Sequence, residues 1–322
     1  MAGTTFGALL EGHAAAFLAR AVAWVDKDTP WAAIAEAARN DSGPSAARSA
    51  GAWVGEDIVA QGRPQGSAQA ADLRQRASLA ERTVTEALAG LSALGASGNL
   101  SPAAADARES LLEAMGGEAD AIIEALQQGF PRGAGAPLVA LRRPLTLADL
   151  APEGARGERV GFARAVGPPP GLALEPIAQL RQDVARLKHY ALREALGRGG
   201  RALSLPASST YFKVIRPPVS LDGDLSEFRA LSGVANAADA WADEVRAALL
   251  AGFLDRLKVR EAPALAGAPS DVPPLLRALE VERAGADLKG ALAADPESAV
   301  IPAEGLLALI IAAPLPAGGL TP

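Results

Sequence analysis

The sequence has no cysteine and only two histidines, and these shortages exclude several kinds of chemistry. Without thiols the chain can form no disulfide, thiolate nucleophile, thiolate-bound zinc site or iron–sulfur site. The two imidazoles, His13 and His189, are far apart in the sequence, and we interpret each as an ordinary helical residue. The GxSxG, HExxH, GxGxxG and P-loop patterns are also absent. The sequence therefore assigns no catalytic, cofactor-binding or metal-binding residue, and it predicts no cofactor.

Large apolar side chains are scarce, although 49% of the residues are hydrophobic. Only 4% are aromatic, and alanine is the most abundant residue. Alanine has the highest helix propensity, whereas strands favour β-branched and aromatic side chains. The composition predicts a mostly α fold with at most one small β element. We expect two helical regions of antiparallel long helices, joined by a segment rich in glycine and proline.

Changes in composition along the chain suggest where these regions begin and end. We predict an N-terminal helical domain at 1–128, a Gly/Pro-rich linker or arm at 129–174, a C-terminal helical domain at 175–312 and an extended tail at 313–322. Within the C-terminal domain, β-branched and aromatic residues near 208–216 predict a short strand. Glycine and proline in residues 40–64 predict an irregular loop, and separate helices are expected near 224–232 and 236–258.

Long apolar runs are missing as well. The longest, Leu306 to Ala313, is much shorter than the ~20 residues that a membrane-spanning helix requires. The N-terminus has no basic leader, and Glu11 and His13 interrupt its apolar stretch. We therefore expect no membrane span and place the protein in the cytoplasm, or in a particle assembled there. The formal net charge of −6 disfavours attraction of the whole surface to nucleic acid.

One segment departs from this acidic balance. Between positions 181 and 201, six basic side chains are accompanied only by Asp183 and Glu194. Spacings of three and four residues place several of them on one helix face, away from the predicted apolar stripe. Such a face could bind a polyanion, remain solvated, or pair with acidic groups of another subunit. The candidate contact residues are Arg181, Arg186, Lys188, His189, Arg193, Arg198 and Arg201.

Long helices with small side chains favour many small contacts over a deep ligand pocket. We therefore expect that the protein functions through its shape and through contacts with other proteins. We predict a structural or assembly component, an adaptor or scaffold in a larger intracellular or phage-like particle, with other protein subunits as partners. Proline-bounded arms at 137–147, 208–216 and 313–322 could reach neighbouring subunits. One alternative is a nucleic-acid-associated protein that uses the basic face at 181–201. Another is an enzyme whose carboxylates and arginines come together only in the folded chain.

Overall fold

A computed structural model describes residues 5–61, 66–94, 102–139, 141, 145–150, 171–198 and 225–311. Within these ranges the backbone forms nine α-helices and one two-stranded ladder, which confirms the predicted fold class. The helices are α1 (Phe6–Val25), α2 (Trp31–Arg39), α3 (Ser42–Gln61), α4 (Ala70–Ala93), α5 (Pro102–Arg132), α6 (Glu175–Arg198), α7 (Leu225–Val259), α8 (Val272–Ala294) and α9 (Val300–Ile311).

The packing of α4 and α5 follows from their apolar stripes. In α4, Leu73, Ala77, Ala80 and Val84 recur at helical spacing, and all four are buried. Both helices pack against each other and against α8. Gly129 of α5 permits a close approach there, because a Cβ atom at this position would lie 2.3 Å from the Pro274 carbonyl oxygen.

The most extensive contact joins α3 to α7, where glycine lets two backbones meet. A Cβ atom at Gly51 would lie 2.0 Å from the carbonyl oxygen of Leu249. A Cβ atom at Gly252 would lie equally close, at 2.0 Å, to the carbonyl oxygen of Arg48. No side chain fits in either place. The α3–α7 crossing therefore depends on a glycine from each helix.

Helices on both sides of residues 129–174 share one hydrophobic core. Besides the α3–α7 crossing, α1 packs on α6 and α7, while α8 contacts α4, α5 and α6. Among the described residues, α1 is long and apolar enough to cross a membrane by length and composition alone. Its Leu10, Phe17 and Leu18 are nevertheless buried against other helices. One face of α1 thus packs into the core. The predicted domain boundaries stay a prediction.

The β element consists of two strands of two residues each. Strand β1 (Leu138–Val139) pairs antiparallel with β2 (Gly171–Leu172), so that Leu138 faces Leu172 and Val139 faces Gly171. Two residues of the arm predicted at 137–147 therefore form a ladder within the chain. A contact of this arm with a neighbouring subunit stays a prediction. The strand expected near 208–216 and the tail at 313–322 lie outside the described residues.

Two local predictions were wrong. Residues 42–61 form the helix α3 rather than an irregular loop, since their glycines serve close packing against α7. The two helices expected near 224–232 and 236–258 are a single helix, α7. Gly233 lies where we expected the break, and a Cβ atom there would come within 3.0 Å of Val25.

Candidate functional site

The basic segment predicted from sequence forms much of α6, and this helix lies inside the molecule. It packs against α1, α7, α8 and α9. Arg181, Lys188 and His189 are each less than 10% exposed. These three side chains are paired with acidic residues of the same chain, whereas the sequence placed them on a face directed to solvent or to another subunit. Acidic residues of α7, α8 and α9 surround them.

Arg181 belongs to a buried triad with one carboxylate and a second arginine. Its Nε donates to Glu280 Oε1 at 2.5 Å, and one of its terminal nitrogens donates to the Arg246 carbonyl oxygen at 2.6 Å. The Arg246 side chain donates to the same Oε1 at 3.2 Å. Burial alone would raise the pKa of Glu280, but the two guanidinium groups outweigh it and lower this pKa. Glu280 therefore holds α6, α7 and α8 together as an ion.

Lys188 forms the next pair along α6. Its Nζ donates to Asp239 Oδ1 of α7 at 2.6 Å. Burial alone would lower the pKa of Lys188, yet the nearby carboxyl groups of Asp239 and Glu304 raise it overall. One turn further along α7, the side chain of Asp243 is 71% exposed and lies 3.5 Å from Arg246. Together these residues form an acid–base cluster that extends from the core to a carboxylate that solvent can reach. Its members are Arg181, Lys188, Asp239, Asp243, Arg246 and Glu280.

His189 and Glu304 make a buried acid–base pair. Nδ1 of His189 lies 3.4 Å from Oε2 of Glu304, and the two residues are 4% and 1% exposed. Desolvation raises the pKa of Glu304 to about 8, although Lys188 opposes this shift. Desolvation and Lys188 together hold the pKa of His189 well below its usual range. Near pH 7 both groups are therefore neutral.

The Glu304→Gln variant should remove a pH dependence of stability. Between about pH 4.5 and 8 the folded chain keeps the Glu304 proton that the unfolded chain releases, so stability is lost as the pH rises. His189 has the opposite slope, but only below its ordinary value of 6.5. As the pH rises from 6.5 to 8, the loss of the contribution from Glu304 should lower the free energy of unfolding by about 2 kcal/mol. Urea denaturation at these two pH values measures it.

Glutamine keeps the size of the side chain and carries no charge at either pH. The variant should therefore show a smaller loss of stability over this interval than the parent protein. A control, Glu86→Gln, alters an exposed carboxylate and should keep the parental slope. Equal slopes for Glu304→Gln and the parent would contradict a neutral, buried Glu304.

The remaining residues of the predicted basic face have different surroundings. The Arg186 side chain is 39% exposed, and its terminal nitrogen lies 3.2 Å from Asp287 Oδ2 of α8. Arg193 and Arg198 belong to α6, but their side chains lie outside the described part of the chain, as does the whole of Arg201. For these four arginines a polyanion contact stays a prediction.

Sequence reasoning found the basic half of this cluster and missed the acidic half. Glu280 and Glu304 follow Arg181 and His189 by about a hundred positions, on helices whose own sequences look ordinary. A weak signal was present in α7, where Asp239 and Asp243 are one turn apart and so share a face of the helix. Only the packing of α6 among α7, α8 and α9 brings the two halves together.

Comparison with known proteins relates this architecture to that of an enzyme. No protein-family model matches the sequence, and no curated protein matches it. Solved structures do match. A glucosamine kinase in complex with glucosamine, ADP and inorganic phosphate is 14% identical, with a TM-score of 0.51, over 89% of this chain and 54% of the kinase. Another crystal form of a glucosamine kinase is also 14% identical, with a TM-score of 0.53, over 90% of this chain and 58% of the kinase. The chain thus spans little more than half the length of these kinases.

This similarity establishes the fold and overturns the main functional prediction. The structural or assembly component, with its phage-like particle, is wrong: the helical architecture that we interpreted as a scaffold is shared with solved glucosamine kinases. The physical reason lies in the small residues. We interpreted long helices with small side chains as typical of a protein that works through shape and contact, but small residues such as Gly51 and Gly252 serve helix crossings inside one chain.

Proposed function

We propose that this chain is an enzyme of the sugar-kinase type, transferring a phosphoryl group from ATP to a hydroxyl group of a small sugar. The observation that carries the proposal is the shared fold over 89–90% of the chain. Glucosamine, which is bound in one of the similar kinase structures, is the first acceptor to test. The proposed setting is the cytoplasm, where ATP is available.

Phosphoryl transfer depends mainly on positioning and on charge. A carboxylate accepts the proton of the attacking hydroxyl group, and cationic groups stabilise the charge on the phosphoryl oxygens. In the described part of the chain, Asp243 is the member of the acid–base cluster that combines a carboxylate, 71% exposure and a neighbouring arginine. Lys188 and Asp239 form a largely buried ion pair one turn away from it along α7. We assign Asp243 as the proton acceptor.

The test measures ADP release with ATP, Mg²⁺ and glucosamine, and compares two aspartates of α7. Asp243→Asn should lower kcat by roughly 100-fold or more, the usual contribution of a general base. Asp255→Asn is the matched control, since Asp255 is also exposed, at 58%, and also pairs with an arginine, Arg48. It should leave kcat near the parental value.

Binding and transfer must be measured separately. Thermal unfolding with glucosamine alone and with ADP and Mg²⁺ alone reports binding without chemistry. Binding of both ligands together with ADP release would support the proposal. An absence of both binding and ADP release across a panel of small sugars would refute it. Equal loss of activity in Asp243→Asn and Asp255→Asn would refute the role of Asp243.

A further inference from the structure

Lys188 of α6 lies near two buried carboxyl groups that belong to different helices. Its Nζ donates to Asp239 Oδ1 of α7 at 2.6 Å. Glu304 of α9 is close enough for its charge to act on Lys188, although no hydrogen bond joins the two. A lysine ammonium group carries three N–H donors on a flexible four-carbon stem, so it can turn without a shift of its helix. The structure thus places one flexible cation near two carboxyl groups.

Glu304 is the carboxyl group of the two that lacks a donor. Both of its side-chain oxygens are buried without a hydrogen bond to the described residues, and its side chain is only 1% exposed. An ionised carboxylate in such a place would have nothing to offset its lost hydration. Glu304 therefore carries a proton in this arrangement, in agreement with its pKa of about 8.

The titratable and charged groups around Glu304 come from helices that pack on α9 or on α6. They are Lys188 and His189 of α6, Asp239 of α7, and the mutually paired Arg283 and Asp287 of α8. α5 also packs on α9, but none of its described ionisable groups acts on Glu304. Burial and Lys188 hold the pKa of His189 down, so this ring stays neutral. Lys188 is therefore the cation that an ionised Glu304 would attract.

Burial decides which carboxylate keeps Lys188 once both are ionised. The side chain of Asp239 is 19% exposed, whereas that of Glu304 is 1% exposed. Water can hydrate Asp239 in part, but it has almost no access to Glu304. The more deeply buried anion depends more strongly on a counter-ion from the protein. Lys188 should therefore leave Asp239 when Glu304 loses its proton.

We propose that Lys188 is a proton-controlled switch: it pairs with Asp239 while Glu304 is protonated, and with Glu304 once that carboxyl group is ionised. After the exchange Asp239 has lost its cation, one turn along α7 from the exposed Asp243. The loss of one proton in the core thus changes the charge beside a carboxylate that solvent can reach. The switch depends on burial and pairing alone, so it holds whether or not the chain transfers phosphate.

Crystal structures of the full chain at about pH 6.5 and about pH 9.5 test the exchange directly. At the lower pH, Nζ of Lys188 should lie 2.6 Å from Oδ1 of Asp239. At the higher pH, it should lie within hydrogen-bond distance of Glu304. An Nζ that stays on Asp239 at both pH values would overturn the proposal.

An NMR titration follows the same event in solution. The probe is the imidazole ring of His189, since its Nδ1 lies 3.4 Å from Oε2 of Glu304. The chain has two histidines, so a His13→Gln variant assigns the signals. We expect the His189 signals to shift in a step centred at about pH 8, where Glu304 loses its proton. If no step occurred between about pH 6.5 and 10, Glu304 would not titrate there and the switch would have no trigger.

Variants of α7 show whether Lys188 links the two carboxyl groups. Asp239→Asn removes the ionised partner of Lys188, so the His189 step should move down by at least about one pH unit. Asp255→Asn is the matched control, because Asp255 is an exposed carboxylate of the same helix, paired with Arg48. This control should leave the step at its parental pH.

The last comparison separates partner exchange from direct repulsion between the carboxylates. In a Lys188→Met background, Asp239→Asn should shift the step much less than it does with lysine present, because the effect passes through the ammonium group. Equal shifts in the two backgrounds would mean that Asp239 and Glu304 act on each other directly, and the switch would be wrong. If Lys188→Met fails to fold, the two crystal structures of the parent protein decide the matter.

Discussion

Gly252→Ala should destabilise the protein by more than about 3 kcal/mol, at the upper end of the range for overpacked cores. The added methyl group would lie 2.0 Å from the carbonyl oxygen of Arg48. Because this oxygen belongs to the backbone, no change of side-chain rotamer can relieve the clash. α3 and α7 would have to separate along their whole contact. Gly51→Ala creates the reciprocal clash with Leu249 and should have an effect of similar size.

The control is Gly290→Ala in α8, where a methyl group meets nothing within 4 Å. Alanine favours a helix by about 1 kcal/mol over glycine, so this variant should be slightly more stable than the parent. Chemical denaturation of the three variants and the parent protein measures the differences in unfolding free energy. A stable Gly252→Ala variant would mean that the α3–α7 crossing is not as close as the structure has it.

Glu280→Ala should cost about 3–5 kcal/mol of unfolding free energy. The change leaves Arg181 and Arg246 facing each other in the core without their shared carboxylate. The two cations repel, and Arg181 has lost the carboxylate that offset its desolvation, whereas Arg246 keeps only the exposed Asp243. The same carboxylate should make the parent protein sensitive to acid, since the stability that it contributes is lost as the pH falls through its lowered pKa.

Two comparisons separate charge from packing. Glu86→Ala removes one member of the exposed pair with Lys289 and should leave the unfolding midpoint nearly unchanged. The triple variant Arg181→Met, Glu280→Leu, Arg246→Met replaces the whole triad by apolar side chains and should regain much of the stability that Glu280→Ala loses. If the triple variant were as unstable as the single one, the loss would come from side-chain volume rather than from unpaired charge.

How far the fold could be predicted depended on where the information lies in the chain. In α4 the apolar stripe is local, so Leu73 and Val84 reveal the helix and its buried face. In α3 the local signal points the wrong way, because Gly51 looks like a helix breaker until Leu249 is placed beside it. α7 likewise appeared divided, although Gly233 only makes room for Val25.

The site followed the same rule. The basic residues of α6 form a short cluster and were visible in the sequence, but their burial was not. Charge normally indicates a solvent-facing surface, and only paired acids offset the free-energy cost of burying Lys188 or Arg181. Those acids, Asp239 and Glu280, come from later helices. No local sequence pattern predicts that these acids pair with the basic residues of α6.

The distance along the chain between α3 and α7 has a consequence for synthesis on the ribosome. Residues that meet in this crossing, such as Glu56 and Arg256, are 200 positions apart. At about 5–20 residues per second, α3 leaves the ribosome roughly 10–40 s before its partner. During this interval the glycine-rich surface of α3 lacks the helix that covers it. The core around α3 therefore stays incomplete until α7 has been made.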